Sequence, residues 1–340
     1  MTVTTSTSIQ RVLVVSLGSI GRRHLRNVRC LLPTAEIAAL RRPNSPSSAE
    51  GADHIFHDIR SALAFRPTAA IVASPATDHL RLTQTLVTNG IPVLVEKPFA
   101  HRLEGLSVLV AEATAKSLPL FVAYNLRFHP IVRRVKSLLE ENVIGRVLTA
   151  RADVGQYLPD WRPGVNYKEG VSARRDLGGG VLLELSHELD YVSWLFGRPS
   201  SVYAAGGQLG DLGIDVEDTA VLTLRYPEAA PIVSVNLDFL QRAVARQLRV
   251  VGTKGSICAD LVTGECDFYV ASTGEWTREL CRLTDSNLLY LDEVKAFFSA
   301  VNGEHSTILA RGQEGIDVLC QVEAARQSMA NHREMKINYV

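Results

Sequence analysis

Residues 12–123 alternate short, β-branched apolar runs with segments of helical periodicity, and this alternation limits the possible folds more than any other feature. Each run has four or five residues, the length of a fully buried strand. Runs separated by helices form βαβ units, which place parallel strands in one sheet with helices on both faces. The predicted strands are Val12–Val15, Glu36–Leu40, Ala69–Ala73, Pro92–Glu96 and Leu120–Ala123, and the predicted helices include Leu80–Val87 and Leu103–Ala115.

From about residue 127 the apolar residues alternate with polar ones in longer runs, as expected for strands with one buried face. Turn signals join several runs directly, which predicts a large, mostly antiparallel sheet. We therefore expect an α/β fold, with a Rossmann-type doubly wound parallel sheet in residues 9–126 and an α+β domain in residues 127–340. The predicted strands are Val147–Val154, Ser201–Ala205, Thr219–Arg225, Ile232–Phe239, Gln247–Val251, Ser256–Asp260, Asp267–Val270 and Met335–Val340. The predicted helices are Ile131–Glu141, Val181–Leu195, Leu289–Val301 and Gln313–Ala330.

The composition argues against several classes of protein. Among the 340 residues, 36 Lys and Arg balance 36 Asp and Glu, so the chain lacks the net positive charge typical of nucleic-acid or anionic-membrane binding. No apolar run approaches the ~18 residues needed to cross a bilayer, and the N-terminus lacks a secretion pattern. The five cysteines are scattered and never spaced as Cys-x-x-Cys, which argues against a disulfide framework and a zinc site. We expect a cytoplasmic protein without a bound metal that binds neither nucleic acid nor membranes.

The segment between the first predicted strand and the first helix has the glycine spacing of a dinucleotide-binding turn. Glycines let the backbone bend sharply and approach a pyrophosphate, which then sits on the unpaired N–H groups of the helix N-terminus. The first glycine position of the Gly-x-Gly-x-x-Gly pattern is Ser16, and a two-glycine turn also occurs at unrelated strand-to-helix corners. The turn predicts a nicotinamide cofactor. Its expected contacts are Gly18, Ser19, Ile20 and Gly21.

Arg41 and Arg42 stand after the second predicted strand, where an NAD-specific domain carries an acidic residue for the ribose 2′-hydroxyl. Arginine suits a 2′-phosphate because it makes bidentate, charge-assisted hydrogen bonds. The pair favours NADP over NAD as the cofactor. Solvated arginines in a loop rich in proline and serine are the alternative interpretation.

Two further groups of residues have the chemistry of a catalytic site. Glu96 and Lys97 follow the fourth predicted strand, at the sheet edge where open α/β folds bind ligands, although a surface ion pair would also explain them. His187 is a proton carrier near neutral pH. Glu184 precedes it by three residues on the predicted helix and Asp190 follows it by three, so Glu184 and His187 are expected on one helix face.

Five separated motifs, taken together, resemble the glucose-fructose oxidoreductase, inositol dehydrogenase and rhizopine-catabolism (Gfo/Idh/MocA) family. The resemblance covers nearly the whole chain. The motifs are Gly18–Gly21 with His24, Ser74–His79, Glu96-Lys97-Pro98, Tyr124–Phe128 with Pro130, and Trp161-Arg162 with Gly178–Gly180 and His187. Two departures are Ser16, where the family usually has glycine, and Leu183, where it usually has aspartate four residues before the histidine.

The resemblance implies an NAD(P)-dependent sugar dehydrogenase or reductase. Lys97 would polarise the reacting oxygen, His187 would exchange the hydroxyl proton, and Glu184 would take the place of the missing aspartate. The resemblance also implies a homo-oligomer, a dimer or tetramer, formed through the outer face of the antiparallel sheet. Other implied cofactor contacts are Ser74, Pro75, Thr77, His79, Glu96, Asn125, Trp161 and Arg162.

The segment Val154–Pro163 resembles a subgroup that acts on sugars in surface-polysaccharide pathways, which points to a sugar or nucleotide-sugar substrate. The basic residues expected to meet an anionic substrate group are Arg162, Lys168, Arg174 and Arg175, unless they are ordinary loop charges. Two alternatives to net redox chemistry stay open. One is a non-redox sugar enzyme that recycles its bound dinucleotide, and the other is a non-catalytic dinucleotide-binding regulator.

Overall fold

The computed structural model describes residues 9–46, 48–227 and 231–340, and the chain divides into two compact units. Unit 1 comprises the described residues from Ile9 to Asn125 together with Ser286–Ile316, and unit 2 comprises the described residues of Leu126–Asp285 and Asp317–Val340. The predicted boundary after residue 126 lies one residue from this division. However, the prediction of two continuous domains needs a correction, because Ser286–Ile316 belongs with the first unit.

Unit 1 is built on a seven-stranded sheet. The strands are β1 (Arg11–Val15), β2 (Glu36–Leu40), β3 (His54–Phe56), β4 (Ala69–Val72), β5 (Val93–Glu96), β6 (Leu120–Ala123) and β15 (Ala310–Arg311). Their order in the sheet is β15-β6-β5-β4-β1-β2-β3, and all neighbours are parallel except the short edge strand β15, which runs antiparallel to β6. Without β15 this is the strand order of a dinucleotide-binding doubly wound fold.

The central strands of unit 1 are apolar on both faces because helices cover both faces of a parallel sheet. Val12, Leu13 and Val14 of β1 are fully buried, as are all four residues of β4. The later segment joins this unit through β15 and through packing of α8 against α1. The helices are α1 (Ser19–Leu31), α2 (Ile59–Ala64), α3 (Ala76–Thr88), α4 (Leu106–Ala115) and α8 (Asn287–Val301).

Unit 2 contains a nine-stranded sheet. The strands are β7 (Val147–Gly155), β8 (Ser201–Gly207), β9 (Thr219–Arg225), β10 (Ile232–Asp238), β11 (Ala245–Gly252), β12 (Gly255–Asp260), β13 (Glu265–Val270), β14 (Glu275–Leu280) and β16 (Met335–Lys336). Their order is β14-β13-β12-β11-β7-β10-β9-β8-β16. Among these described strands only the β7–β10 pair is parallel, so the sheet is mostly antiparallel, as predicted.

Helices pack on one face of this second sheet and leave residues of the other face exposed. They are α5 (Pro130–Glu140), α6 (Val181–Glu184), α7 (His187–Phe196) and α9 (Gly312–Asn331), whose first five residues lie in unit 1. Four short 3₁₀ turns occupy the long segment before α6. Among the described residues, every helix is too short or too polar to span a membrane.

The structure corrects two predicted elements and adds three strands. The single helix Val181–Leu195 is two helices, α6 and α7, separated by a turn at Leu185 and Ser186. The closing strand is limited to Met335–Lys336. The edge strands β3, β14 and β15 were not predicted, because each is very short or lacks the alternation of a half-buried strand.

Candidate functional site

The candidate residues of unit 1 follow strands whose carboxyl ends lie at one edge of the sheet. Ligands of open α/β sheets bind outside this edge, at the point where the strand order reverses. In this sheet the reversal lies between β1 and β4. The segments that follow the strands there are Ser16–Gly21, Arg41 and Arg42, Ser74–His79, Lys97 and Asn125.

The turn after β1 has the geometry of an anion-binding turn. Gly18 is the N-cap of α1 with extended backbone; no side chain caps the helix, and its first turn holds no acidic residue. A Cβ on Gly18 would meet nothing within 4 Å, whereas one on Gly21 would lie 2.0 Å from the Ser16 carbonyl oxygen. Ser16 itself has a φ of 74°, in the left-handed region that glycine favours. The open helix N-terminus therefore fits a dinucleotide pyrophosphate despite the serine.

The loop after β4 is tied to the loop after β5 through His79. This imidazole is 1% exposed, and its nitrogens lie 2.8 Å from the Ser74 and Pro98 carbonyl oxygens. Burial lowers the pKa of His79, and the two backbone contacts oppose that shift. His79 thus holds two loops of the candidate site, while Ser74, Pro75 and Thr77 are half-buried.

Glu96 ends β5, and its carboxylate is held from two sides. Its Oε1 lies 2.7 Å from Nε2 of His24 on α1, and its Oε2 accepts a hydrogen bond of 3.2 Å from the Lys97 backbone N–H. His24 is fully buried and Glu96 is 8% exposed. The cofactor turn and the Glu96-Lys97-Pro98 motif are therefore joined by a buried His–Glu contact, and Lys97 is half-buried beside it.

Tyr290 is a site residue that the sequence reasoning missed. It lies on α8, far along the chain, and its ring packs edge-on against His24 with centroids 6.1 Å apart. The Arg23 guanidinium lies 4.4 Å from the Tyr290 ring centroid, and the Tyr290 side chain hydrogen-bonds with Asn125. Burial raises the pKa of Tyr290, and the nearby negative charge of Glu96 raises it further. No local motif marks this tyrosine.

The two arginines after β2 differ in their surroundings. Arg41 is half-buried, and its guanidinium donates to the carbonyl oxygens of Pro46 (2.8 Å) and Ser48 (3.2 Å). Arg42 is exposed, and its backbone carbonyl contacts His57. Arg41 therefore shapes the loop, whereas the Arg42 side chain extends from it.

In unit 2, the glycines before α6 bring several backbone segments close together. A Cβ on Gly179 would lie 2.3 Å from the Val171 carbonyl oxygen. Gly180 has a φ of 108°, and a Cβ there would lie 2.5 Å from the Glu217 carboxylate. Glu184 follows at the end of α6, where its Oε2 accepts a 2.8 Å hydrogen bond from the Ser172 hydroxyl.

His187 is the first residue of α7 and is half-buried. The predicted placement of Glu184 and His187 on one helix face is wrong, because the helix is interrupted between them. Asp190, the other flanking carboxylate, is 1% exposed and forms a bidentate ion pair with Arg127 at 2.6 Å and 2.9 Å. Arg127 comes from the Tyr124–Phe128 motif, which explains why an arginine stands there.

The segment before the glycines holds Trp161 and all four of the predicted basic residues. The Trp161 indole donates to the Gln156 carbonyl oxygen at 3.1 Å. Arg174 pairs with Asp176 at 2.5 Å, and Arg175 donates to the Asp215 carbonyl oxygen at 2.7 Å. These contacts engage Arg174 and Arg175 locally. All four basic residues, Arg162 and Lys168 included, are exposed.

Two family models match the chain. One, described as an oxidoreductase family with an NAD-binding Rossmann fold, covers residues 10–124, and the other, the GFO/IDH/MocA C-terminal domain, covers residues 132–258. The chain belongs to the GFO/IDH/MocA family. This confirms the predicted family, the Rossmann-type fold and the assignment to nicotinamide-dependent oxidoreductases. Across the described residues, no group of three or more His, Cys, Asp or Glu side chains could hold a metal ion.

GFO/IDH/MocA proteins of known name and structure resemble the chain over nearly its whole length. The chain is 26% identical to myo-inositol 2-dehydrogenase of Thermotoga maritima, over 97% of this chain and 99% of that protein. Levoglucosan dehydrogenase in complex with NADH matches at a TM-score of 0.83 and 20% identity, covering 97% and 100% of the two chains. The WlbA dehydrogenase of Bordetella pertussis, in complex with NADH and UDP-GlcNAcA, matches at a TM-score of 0.78 and 22% identity, covering 97% and 99%. These structural matches establish the shared fold.

Proposed function

We propose that this protein transfers a hydride between NADP and a hydroxyl-bearing carbon of a sugar or nucleotide-sugar. The observation that carries the proposal is Lys97, which stands beside a buried Glu96 at the carboxyl edge of a sheet with an open pyrophosphate turn. An ammonium at that edge is suited to stabilise an alkoxide. Family relatives named for inositol, levoglucosan and a UDP-sugar acid support a polyol, sugar or nucleotide-sugar as the substrate.

The chemistry requires an acid/base group and an anion stabiliser besides the cofactor. A bound nicotinamide supplies the hydride acceptor or donor. In the oxidative direction the substrate carbon loses hydrogen as hydride, and its hydroxyl gives its proton to the imidazole of His187. Lys97 stabilises the negative charge on the substrate oxygen while the carbonyl forms. Glu184 orients this acid/base machinery from the end of α6, and Arg162 and Lys168 hold any anionic part of the substrate.

The pyrophosphate and the nicotinamide ribose of the cofactor are expected to contact residues of unit 1. The N-terminus of α1, with Gly18, Ser19, Ile20 and Gly21, holds the pyrophosphate. Glu96 accepts from the nicotinamide ribose. The other residues assigned to cofactor contact are Ser74, Pro75, Thr77, His79, Asn125, Trp161 and Arg162.

The end of β2 supports NADP over NAD as the cofactor. Arginines follow the strand at the position where an NAD-binding domain carries a carboxylate for the ribose 2′-hydroxyl. Arg42 extends into solvent and is free to turn toward a 2′-phosphate, while Arg41 holds the loop carbonyls. A charge-assisted hydrogen bond contributes roughly 1.5–3 kcal/mol, so its loss weakens binding by about 10-fold or more.

The test is a calorimetric titration of cofactor-free protein with NADPH and NADH. We expect tighter binding of NADPH, and we expect Arg42→Ala to weaken NADPH binding by about 10-fold while changing NADH binding by less than about twofold. Arg26→Ala, an exposed arginine on α1, is the matched control. If NADPH and NADH bind equally well and Arg42→Ala changes neither affinity, the preference for NADP is wrong and NAD becomes the proposed cofactor.

We also propose a homo-oligomer, a dimer or tetramer, formed through the face of the nine-stranded sheet that the helices leave open. Apolar side chains on that face are exposed at positions that alternate with buried ones. A second copy of the chain would cover them. Exposed apolar residues in the alternating strands include Tyr203, Val221 and Ile232, and Trp276 is exposed on the edge strand β14.

A further inference from the structure

His24 lies one turn into α1 and is fully buried, yet it makes a polar contact with a second buried group. Its Nε2 is 2.7 Å from the Glu96 Oε1, while the Glu96 side chain is only 10% exposed. A buried carboxylate needs hydrogen-bond donors, because removing it from water without them is costly. Within the part of the chain that the structure describes, His24 is one of two donors to the Glu96 oxygens, and the other is the Lys97 backbone N–H.

The orientation of the His24 ring is itself restricted. The Tyr290 ring packs against it at an interplanar angle of 74°, and Arg23 covers the Tyr290 ring. The carboxylate therefore receives one donor from a locked side chain on α1 and one from its own chain at Lys97. Its two oxygens point in directions set by these donors, and both donors belong to segments of the proposed cofactor site.

We propose that His24 is a positioning residue that orients the Glu96 carboxylate for dinucleotide binding. The inference rests on the proposed function, since it assigns His24 a part in the same site without contact with the substrate. A carboxylate that must accept from ribose hydroxyls loses affinity if it rotates or shifts by a fraction of an ångström. If His24 only filled space between α1 and β5, the loss of its hydrogen bond to Glu96 would not change the affinity for the dinucleotide.

The test compares two amide variants that match each other in polarity and differ in reach. In His24→Gln the amide nitrogen extends about as far as imidazole Nε2 and can donate to Glu96, whereas in His24→Asn it stops one methylene short. We expect His24→Asn to weaken dinucleotide binding by about 10-fold or more, since a charge-assisted hydrogen bond is lost, and His24→Gln to bind within about threefold of wild type. The substrate KM at saturating cofactor should change little in both.

The matched control is His54→Gln, because His54 forms the same type of contact with Glu36, 3.2 Å apart and exposed, on strands away from the site edge. Thermal unfolding of every variant separates loss of folding from loss of binding. If His24→Asn and His24→Gln both fold and weaken dinucleotide binding equally, the inference is overturned. The distance that the side-chain donor spans toward Glu96 would then not affect binding. A wild type that binds neither NADPH nor NADH would overturn the proposed function and this inference with it.

A second measurement does not depend on the His24 variants folding. In wild-type protein labelled with ¹⁵N-histidine, the His24 Nε2 resonance should carry the signature of a proton donated to a carboxylate and should shift in Glu96→Gln. A resonance that is the same in Glu96→Gln and wild type would contradict the orienting contact.

Discussion

Ser16 occupies the one turn position where the residue type conflicts with the backbone. Its φ of 74° costs an L-residue roughly 1–2 kcal/mol, which glycine would avoid. The turn nevertheless closes, because the Ser16 N–H donates to the Leu40 carbonyl oxygen at 2.8 Å and Gly21 lets the helix backbone approach. Dinucleotide binding at this turn is therefore expected to depend on Gly18 and Gly21.

Substituting each glycine by alanine should separate folding from binding. In Gly21→Ala the new Cβ meets the Ser16 carbonyl oxygen, so we expect a loss of at least about 2 kcal/mol in the free energy of unfolding. In Gly18→Ala the Cβ has open space, so the loss of stability should be limited to about 1 kcal/mol, the cost of alanine at an N-cap, while NADPH binding weakens. Denaturant unfolding and calorimetric titration measure the two effects. Unchanged NADPH binding in Gly18→Ala would argue against a pyrophosphate at this turn.

At the element scale, α5 is preceded by a histidine whose function as the N-cap requires a neutral ring. His129 is the N-cap, and its Nδ1 accepts from the Ile131 N–H at 3.2 Å. Burial lowers the pKa of His129 to about 4 from its ordinary 6.5, and the charge of Arg246 contributes. The cap is thus lost when the ring is protonated on Nδ1.

This lowered pKa predicts a pH-dependent stability. Below pH 6.5 the unfolded chain binds a proton at His129 that the folded chain binds only near pH 4. Stability from this residue is therefore fully present above 6.5 and is lost as the pH falls through the interval toward 4. We expect His129→Asn, which retains a good N-cap without titrating, to reduce the loss of thermal stability between these pH values. A variant with the same pH dependence as wild type would show that His129 does not titrate in this way.

The elements show which parts of the fold are readable from sequence. The strands at Glu36–Leu40, Leu120–Ala123 and Thr219–Arg225 match the predicted bounds, because each carries a clear apolar run or alternation. The break between α6 and α7 has no such signal, since Leu185 and Ser186 are both compatible with a helix. The edge strand β14 is almost wholly exposed, so no burial pattern marks it.

The candidate site, like the fold, could be predicted only where a local sequence pattern marks it. The segments that follow parallel strands could be placed at one sheet edge from the βαβ pattern alone. Contacts between residues distant in sequence could not be predicted. Arg127–Asp190 is a buried ion pair and His24–Glu96 is a buried polar contact, in positions where periodicity predicts apolar residues or a solvated surface. Tyr290 reaches the site through the return of α8 to unit 1, which no local pattern indicates.

At the scale of the whole molecule, the proposed self-association through the open sheet face can be tested by substitutions on that face. A substitution that disrupts it should lower the molecular mass measured in solution. Ile232 is 51% exposed and Val221 is 47% exposed there. Replacing either by arginine introduces a charge that must be desolvated on assembly, so we expect the dimer or tetramer to dissociate. Sedimentation equilibrium measures this, with Arg60→Ala as a control in unit 1. A monomeric wild type would contradict the proposed assembly.

The central claim is hydride transfer that depends on Lys97, and a single-turnover experiment tests it most directly. Enzyme loaded with NADP⁺ is mixed with panels of sugars, cyclic polyols and UDP-sugars, and formation of reduced nicotinamide is followed by absorbance. We predict that at least one panel yields reduced nicotinamide, and that Lys97→Met slows this step by about 100-fold or more while binding NADP⁺ normally. Transfer at the wild-type rate in Lys97→Met, or a wild type that binds NADP⁺ but transfers no hydride from any panel, would contradict the account.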